Sequence, residues 1–287
     1  MQLRQVRRSA RIEGVRIPLF IHNGSYHLSG VDVFADGVID CWGAVDLSLF
    51  QEKLAIGWVE GTAYLDSYIS VFGLGGGRVE EGYSGWTPDE TFARVSHLVR
   101  ELNPDLQNLI DMQGSAVEKD RPQYSKVYCK TRLYRMGPDQ KPCWGEELLL
   151  FRKHEGEFRL AQWTLFNDGM CQVEDGPLLA FEDSCEYLRS GSYTSKPPAD
   201  CWLLLDYLGK YRLVDACWHV DLEDRILEGR DLVGRLSGKR GVVSLCLAAL
   251  EVYLGNPNHE NREALRLAYE AVPRHNRRYC GDMDTKD

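Results

Sequence analysis

The amino-acid sequence predicts an α+β protein: two related antiparallel β-meander-plus-helix units followed by a mainly helical C-terminal part. Three observations carry this. Segments of alternating apolar and polar residues are punctuated by Asn-Gly and Asp-Gly turns, well-capped amphipathic helices follow them, and one hairpin occurs twice.

Residues 15–43 alternate in polarity and contain Asn23-Gly24 and Asp36-Gly37, dipeptides that tolerate the positive φ of tight hairpins, so three strands are expected there. Asp46 is placed to cap a helix whose Leu47, Phe50 and Leu54 share a face, and Gly57 supplies its stop. Residues 64–86 read as strand with a glycine-rich middle. Thr87-Pro88-Asp89-Glu90 then starts a second helix, with Thr87 as cap, Pro88 at the first helical position and Glu90 closing a capping box. Phe92, Val95, Leu98, Val99 and Leu102 form its apolar stripe, ending at Asn103-Pro104.

A second β region is expected over 126–136, 147–153, 158–166 and 170–173, followed by a short helix near 181–188. At a constant offset of 132, His22-Asn23-Gly24-Ser25-Tyr26 falls on His154-Glu155-Gly156-Glu157-Phe158, Leu28 on Leu160, and Phe34-Ala35-Asp36-Gly37 on Phe166-Asn167-Asp168-Gly169. Six identities in sixteen positions without a gap point to duplication rather than shared turn chemistry. The run 192–198 has linker composition, which divides a duplicated region 1–190 (units of about 12–110 and 124–190) from a helical region 199–287. Within the latter, Asp221 and Asn261 are expected to cap helices, and residues 242–254, apolar nearly all round, to form a buried central helix.

Composition narrows the function. The longest apolar stretch falls short of the roughly 20 residues of a spanning helix, and no apolar region follows Arg4, Arg7, Arg8, Arg11 and Arg16, which read as a short basic arm. Nine cysteines without C-x-x-C spacing, among them Cys129 and Cys217, read as reduced thiols, and the chain as cytoplasmic. A net charge of −9 disfavours nucleic acid and suits a basic or neutral partner.

No motif of catalysis or cofactor binding stands out, and no cofactor is expected. Gly73-Leu74-Gly75-Gly76-Gly77-Arg78 lacks the Lys-Ser/Thr of a phosphate loop and reads as a hairpin connection. The seven histidines and Asp282 and Asp284 show no metal-ligand spacing, so no metal is expected. On a strand, Cys217 and His219 would share a face beside Asp215, the arrangement of a nucleophile with its base. His22 and His154 fall at equivalent turn entrances, where a pseudo-twofold packing would bring them together. These four residues are the candidates for an enzyme whose cleft lies between the units or between the β and helical parts. Trp42, Trp86 and Trp144, beside glycine or proline at element ends, are candidate anchors for a protein partner, because tryptophan dominates interface hot spots. A third reading, a nucleic-acid adaptor, would use the basic arm with Arg274, Arg277 and Arg278.

Two stretches carry a resemblance. Val33-Phe34-Ala35-Asp36-Gly37-Val38-Ile39-Asp40-Cys41-Trp42-Gly43, and Val272-Pro273-Arg274-His275-Asn276-Arg277-Arg278-Tyr279 with Gly281-Asp282-Met283-Asp284-Thr285-Lys286-Asp287, resemble uncharacterised bacterial families, some of which look like immunity proteins. The resemblance implies a non-catalytic protein that binds and blocks a toxin, here a basic toxin domain. It transfers no catalytic residue.

Overall fold

The structure is a computed structural model of the 287-residue chain that describes residues 4–7, 12–112 and 132–281. The first half contains β1 (Arg4–Arg7), β2 (Glu13–His22), β3 (Tyr26–Phe34), β4 (Ile39–Asp40), β5 (Ala44–Val45), α1 (Leu47–Ala55), β6 (Val59–Glu60), β7 (Tyr68–Val71), β8 (Gly75–Ser84) and α2 (Pro88–Leu102). The second half repeats that order as β9 (Arg132–Met136), β10 (Pro142–His154), β11 (Glu157–Phe166), β12 (Met170–Val173), β13 (Leu178–Ala180), α3 (Phe181–Arg189), β14 (Tyr193–Thr194), β15 (Cys201–Leu205), β16 (Gly209–Trp218) and α4 (Leu222–Leu236).

Helix starts follow the local chemistry. Asp46 Oδ1 accepts from the Leu49 amide at 2.8 Å, and Thr87 and Glu90 complete the capping box. Gly57, at φ +69, stops α1, and Val95, Leu98 and Val99 of α2 are buried.

Ten strands close into a barrel in the order β1, β2, β3, β7, β8, β16, β15, β11, β10, β9 and back to β1. Neighbours are antiparallel except β3 with β7 and β11 with β15. Equivalent strands meet at the two junctions: Val6 opposes Leu133 where β1 meets β9, and Val79 opposes Leu213 where β8 meets β16. A pseudo-twofold axis therefore passes through both. Closure leaves these strands no continuous free edge of the kind that invites aggregation.

Both faces of the barrel wall are packed. Helix α2 covers the outer face of β2 and β3, and α4 covers β10 and β11. In the lumen, Phe20 of β2 meets Tyr211 of β16 edge-on at 6.0 Å, and Phe151 of β10 meets Trp218 of β16 at 4.9 Å. Neither pair lies on neighbouring strands, so these contacts cross the interior.

Three expectations are corrected. The boundary near 191–199 falls inside the second copy, because residues after it form β15, β16 and α4, the counterparts of β7, β8 and α2. The second unit therefore continues past 190, and 199–218 is strand rather than helix. The linker-like run 192–198 contains β14 and begins the connection 195–200 to β15, the counterpart of residues 61–67 between β6 and β7. Arg4–Arg7 is no free arm but strand β1, paired with β2 and β9, and Arg16 lies on the luminal face of β2. In the Gly73–Arg78 run, Gly75, Gly76 and Gly77 belong to β8, where Gly76 opposes Ser70 and Cys217, so only the Phe72-Gly73-Leu74 turn connects strands.

The C-terminal region is a helical hairpin, α5 (Val242–Gly255) and α6 (His259–Glu270), with a 3-10 turn (Arg274–Tyr279) around Cys246, Val272 and Cys280. It follows α4, whose Asp231 accepts from the Val242 amide at 2.7 Å and whose Asp224 accepts from the Arg274 amide at 3.2 Å. Asn258, not Asn261, caps α6, and the Asn261 amide donates to it. Helix α5 is not the buried centre its composition suggested. Only Cys246 on it is buried, while Val252 and Leu254 are 57% and 70% exposed. The elements that would have covered it belong to the barrel.

The hairpin is also tied by Glu228, which accepts from Arg225 and contacts His275 Nε2 at 3.1 Å. Burial pushes the Glu228 carboxyl up, but its bond with His275 and the Arg225 charge outweigh burial and hold it below the ordinary value. A depressed carboxyl stabilises the fold at neutral pH and loses that contribution as pH falls through its folded value. E228Q is therefore expected to be less stable than the wild type at neutral pH. The two urea midpoints should converge as pH falls through the depressed folded value.

No helix among the described residues is long and apolar enough to cross a membrane. The eight described cysteines are free thiols, with Cys217 alone among them exposed, and Cys129 lies outside the described residues.

Candidate functional site

The two copies differ by one residue at the turn that first marked the repeat. In the first, His22 opposes Tyr26 across the three residues Asn23, Gly24 and Ser25. In the second, His154 opposes Glu157 across only Glu155 and Gly156, both at positive φ as a two-residue hairpin requires. The offset of 132 thus holds for β3 and β11 but is 131 for β2 and β10, where Phe20 matches Phe151 and Gly14 matches Gly145. The two glycines mark the shift: a Cβ at either would approach the ring of Phe34 or Phe166 to 2.6 or 2.8 Å.

This overturns the pairing of His22 with His154. The His22 amide donates to Trp58 O, and the residue that repeats this bond, to Ser192 O, is Lys153. His22 is satisfied locally, stacked on Tyr26 at 4.4 Å and 3.5 Å from Glu60, whereas His154 is exposed at its own turn. No contact joins them among the described residues. Cys217, near the end of β16, and His219, just beyond it, do meet, with Sγ 3.6 Å from Nδ1, and both are exposed. Asp215, which could have oriented the imidazole, turns instead to Arg78 at 3.3 Å.

A pocket of about 610 Å³ enters the barrel wall beside β3. On its edge away from β2, β3 is paired with β7 over Tyr26–Leu28 and with β4 over Asp32–Val33, which leaves Ser29, Gly30 and Val31 without a strand partner there. Trp42, just beyond β4, and Phe72, at the end of β7, stand at the lip of this gap. Trp42 is held at φ +64, a conformation a bulky residue rarely adopts, with its indole Nε1 donating to Ser29 Oγ at 3.0 Å and its ring 5.2 Å from that of His27. It stays 54% exposed, and Phe72 is 86% exposed.

Gly30 forms the threshold; any Cβ there would come within 2.6 Å of the Arg16 side chain. Inside, Arg16 makes a bidentate pair with Asp32 at 2.7 and 3.0 Å and reaches across the lumen to Glu147 at 3.0 Å. Arg16 and Glu147 are equivalent positions of the two copies, so they meet close to the pseudo-twofold axis. Burial works against the Arg16 charge, but Asp32 and Glu147 outweigh it and hold the guanidinium protonated. Burial also dominates at Asp32, whose carboxyl stands above its ordinary value despite Arg16. Glu147 Oε2 and the hydroxyl of Thr164, directly opposite on β11, are buried and have no hydrogen-bond partner among the described residues.

The second copy fills the same place. Gln162 stands where Gly30 does, bonded by Arg4 Nε at 3.1 Å, while Arg4 Nη2 donates to the carbonyl of Glu174, the counterpart of Trp42. Arg159 and Asp206, counterparts of His27 and Phe72, form a bidentate pair at 2.9 and 2.8 Å. These positions therefore carry charge pairs in the second copy, where Arg159 and Asp206 border a separate pocket of about 560 Å³, and aromatic rings and glycine in the first.

Of the other predicted anchors, Trp86 is half-buried and stacked on Tyr207 at 5.3 Å beside a pocket of about 560 Å³, and Trp144 is half-buried against Tyr134 and Arg132. Among the described residues no cluster could hold a metal ion, and Asp282 and Asp284 lie outside them. Sequence reasoning singled out Trp42 but missed Arg16, Gly30, Phe72 and Glu147. The Gly30/Gln162 and Trp42/Glu174 divergences were legible at the offset of 132. Phe72/Asp206 was not, because the offset there is 134.

The sequence model of a domain of unknown function, DUF7638, matches residues 1–106 and 132–240. The chain belongs to the DUF7638 family. The two matched segments coincide with the two structural copies, and the DUF7638 region accordingly ends after α4. A second domain of unknown function, DUF7639, matches residues 242–287, which begin at the helical hairpin. No curated protein and no solved structure matches the chain.

Proposed function

We propose that this DUF7638 protein is a cytoplasmic, non-catalytic binding protein that grips a partner protein at the aromatic-rimmed pocket of its first copy. A toxin-neutralising immunity protein is the specific form of this reading. The observation that supports it is the asymmetry between copies: positions held by Arg159, Asp206, Gln162 and Glu174 in one are His27, Phe72, Gly30 and Trp42 in the other. Large rings held at the surface by a rigid barrel suit recognition, because their burial contributes binding energy at small entropic cost. A net charge of −9 favours encounter with a basic partner.

The test is co-purification from the native source, comparing wild type with variants and then measuring the affinity of the isolated pair. Trp42→Ala is expected to weaken binding more than about tenfold, the effect of a hot-spot residue. Trp86→Ala and Trp144→Ala, half-buried against neighbours, should change it less than about twofold. Retention of the partner by Trp42→Ala/Phe72→Ala at wild-type affinity would overturn the reading. Protection of cells against a toxin encoded beside the gene tests the immunity role.

The enzyme reading comes second. It rests on the Cys217–His219 contact alone, and the pairing of Asp215 with Arg78 deprives it of a third member. Alkylation of Cys217 that abolished a measured turnover would restore it.

A further inference from the structure

We infer that the Gly30 pocket receives a cationic side chain of the partner, a lysine or arginine, with its stem between Trp42 and Phe72 and its charged end toward Glu147. The inference rests on the binding reading above and specifies what enters the site.

Three observations lead there. Aromatic faces attract cations, and the lip presents Trp42 and His27 with rings 5.2 Å apart, alongside Phe72. Among the cations lining the pocket, Arg16 is committed to Asp32 and Glu147, Arg235 to Asp231 at 3.1 Å, and Arg132 lies over the Trp144 ring at 5.9 Å. Finally, Glu147 Oε2 has no donor among the described residues, and the buried Thr164 hydroxyl opposite supplies none. A buried carboxylate oxygen without a donor is costly, and a charge-assisted N–H is the group that relieves it best. Between rim and floor, Leu28, Leu149 and Leu133 offer an apolar wall to the methylene stem that both basic side chains carry.

The second copy supplies a natural plug. Gly30→Gln reproduces Gln162 and places a side chain where the stem would pass.

The test uses the full-length protein, labelled with nitrogen-15 and titrated with blocked tripeptides carrying a central arginine, lysine, glutamine or glutamate. The arginine and lysine peptides are expected to shift the Gly30 amide and the Trp42 indole N–H saturably. The glutamine and glutamate peptides should not. Glu147→Gln should weaken the arginine peptide by about fivefold or more, as loss of a charge-assisted acceptor does. Gly30→Gln should abolish binding. Should either variant fail to fold, Trp42→Ala, at an exposed position, provides the same readout and should weaken binding at least about threefold. Equal binding of the glutamine peptide, preference for the glutamate peptide through Arg132 and Arg235, or no saturable shift would each overturn the inference. Loss of peptide binding with Trp42-dependent partner capture intact would leave the binding reading standing and remove only this one.

Discussion

Arg16→Ala is expected to destabilise the protein by about 3–5 kcal/mol, because removing one partner of a buried ion network leaves the others uncompensated. Arg16 provides both bonds to Asp32 and the bond to Glu147, and Asp32 is 4% exposed. Urea unfolding at neutral pH measures the loss. The effect should be pH-dependent in a defined direction. Burial already raises the Asp32 carboxyl above its ordinary value, and without Arg16 nothing opposes that rise. A raised carboxyl takes up its proton on folding, so the variant's deficit should narrow as pH falls through the raised folded value. Replacing Arg16, Asp32 and Glu147 together by apolar residues of similar volume should restore most of the stability, since the network's own desolvation cost disappears with it. An Arg16→Ala loss below about 1 kcal/mol would show the triad to be solvated like a surface pair.

Trp163→Ala should cost a similar amount, about 3–5 kcal/mol, by deleting the largest fully buried side chain of the second copy. Trp163 stacks on Phe181 of α3 at 5.7 Å and occupies room left by Gly229 of α4, where a Cβ would lie 2.5 Å from the indole. Gly229→Ala is accordingly expected to cost about 1–3 kcal/mol by overpacking. In a Trp163→Phe background the added methyl would meet a smaller ring, and its cost should fall. Strict additivity of the two changes would show that the helix and the ring are not in contact. In the first copy the corresponding residues are Val95 and Val31, both buried, so the two copies reach the same helix-on-barrel packing with different divisions of volume.

The elements most legible in the sequence are those whose cause is local. Thr87-Pro88-Asp89-Glu90 places a helix start because the cap and its reciprocal bond lie within four residues. Asp46 and Gly57 bound α1 for the same reason. Beyond about 190 local signals misled. The Ser- and Pro-containing run before Asp200 looks like a linker, but it joins two strands of one copy. Its role is visible only once β15 is seen beside β11 and β16. The apolar α5 shows the converse: composition implies burial, yet burial depends on what packs against the helix.

The candidate site was half legible. Trp42 stood out as a tryptophan at an element end, but Arg16 looked like part of a basic arm. Nothing within a few residues of Arg16 reveals that Asp32 lies across the hairpin and Glu147 across the lumen.

By itself the sequence determined the α+β class, the capped helices and the existence of a repeated hairpin, because capping, turn conformation and polarity alternation act over a few residues. Only the tertiary structure decided that the repeats close into one barrel, that the second copy extends to α4, and that charge pairs occupy in one wall the positions that border the Gly30 pocket in the other. Those outcomes depend on pairings between strands far apart in the chain. They also depend on a one-residue difference in turn length that shifts β2 against β10 and moves His22 out of correspondence with His154.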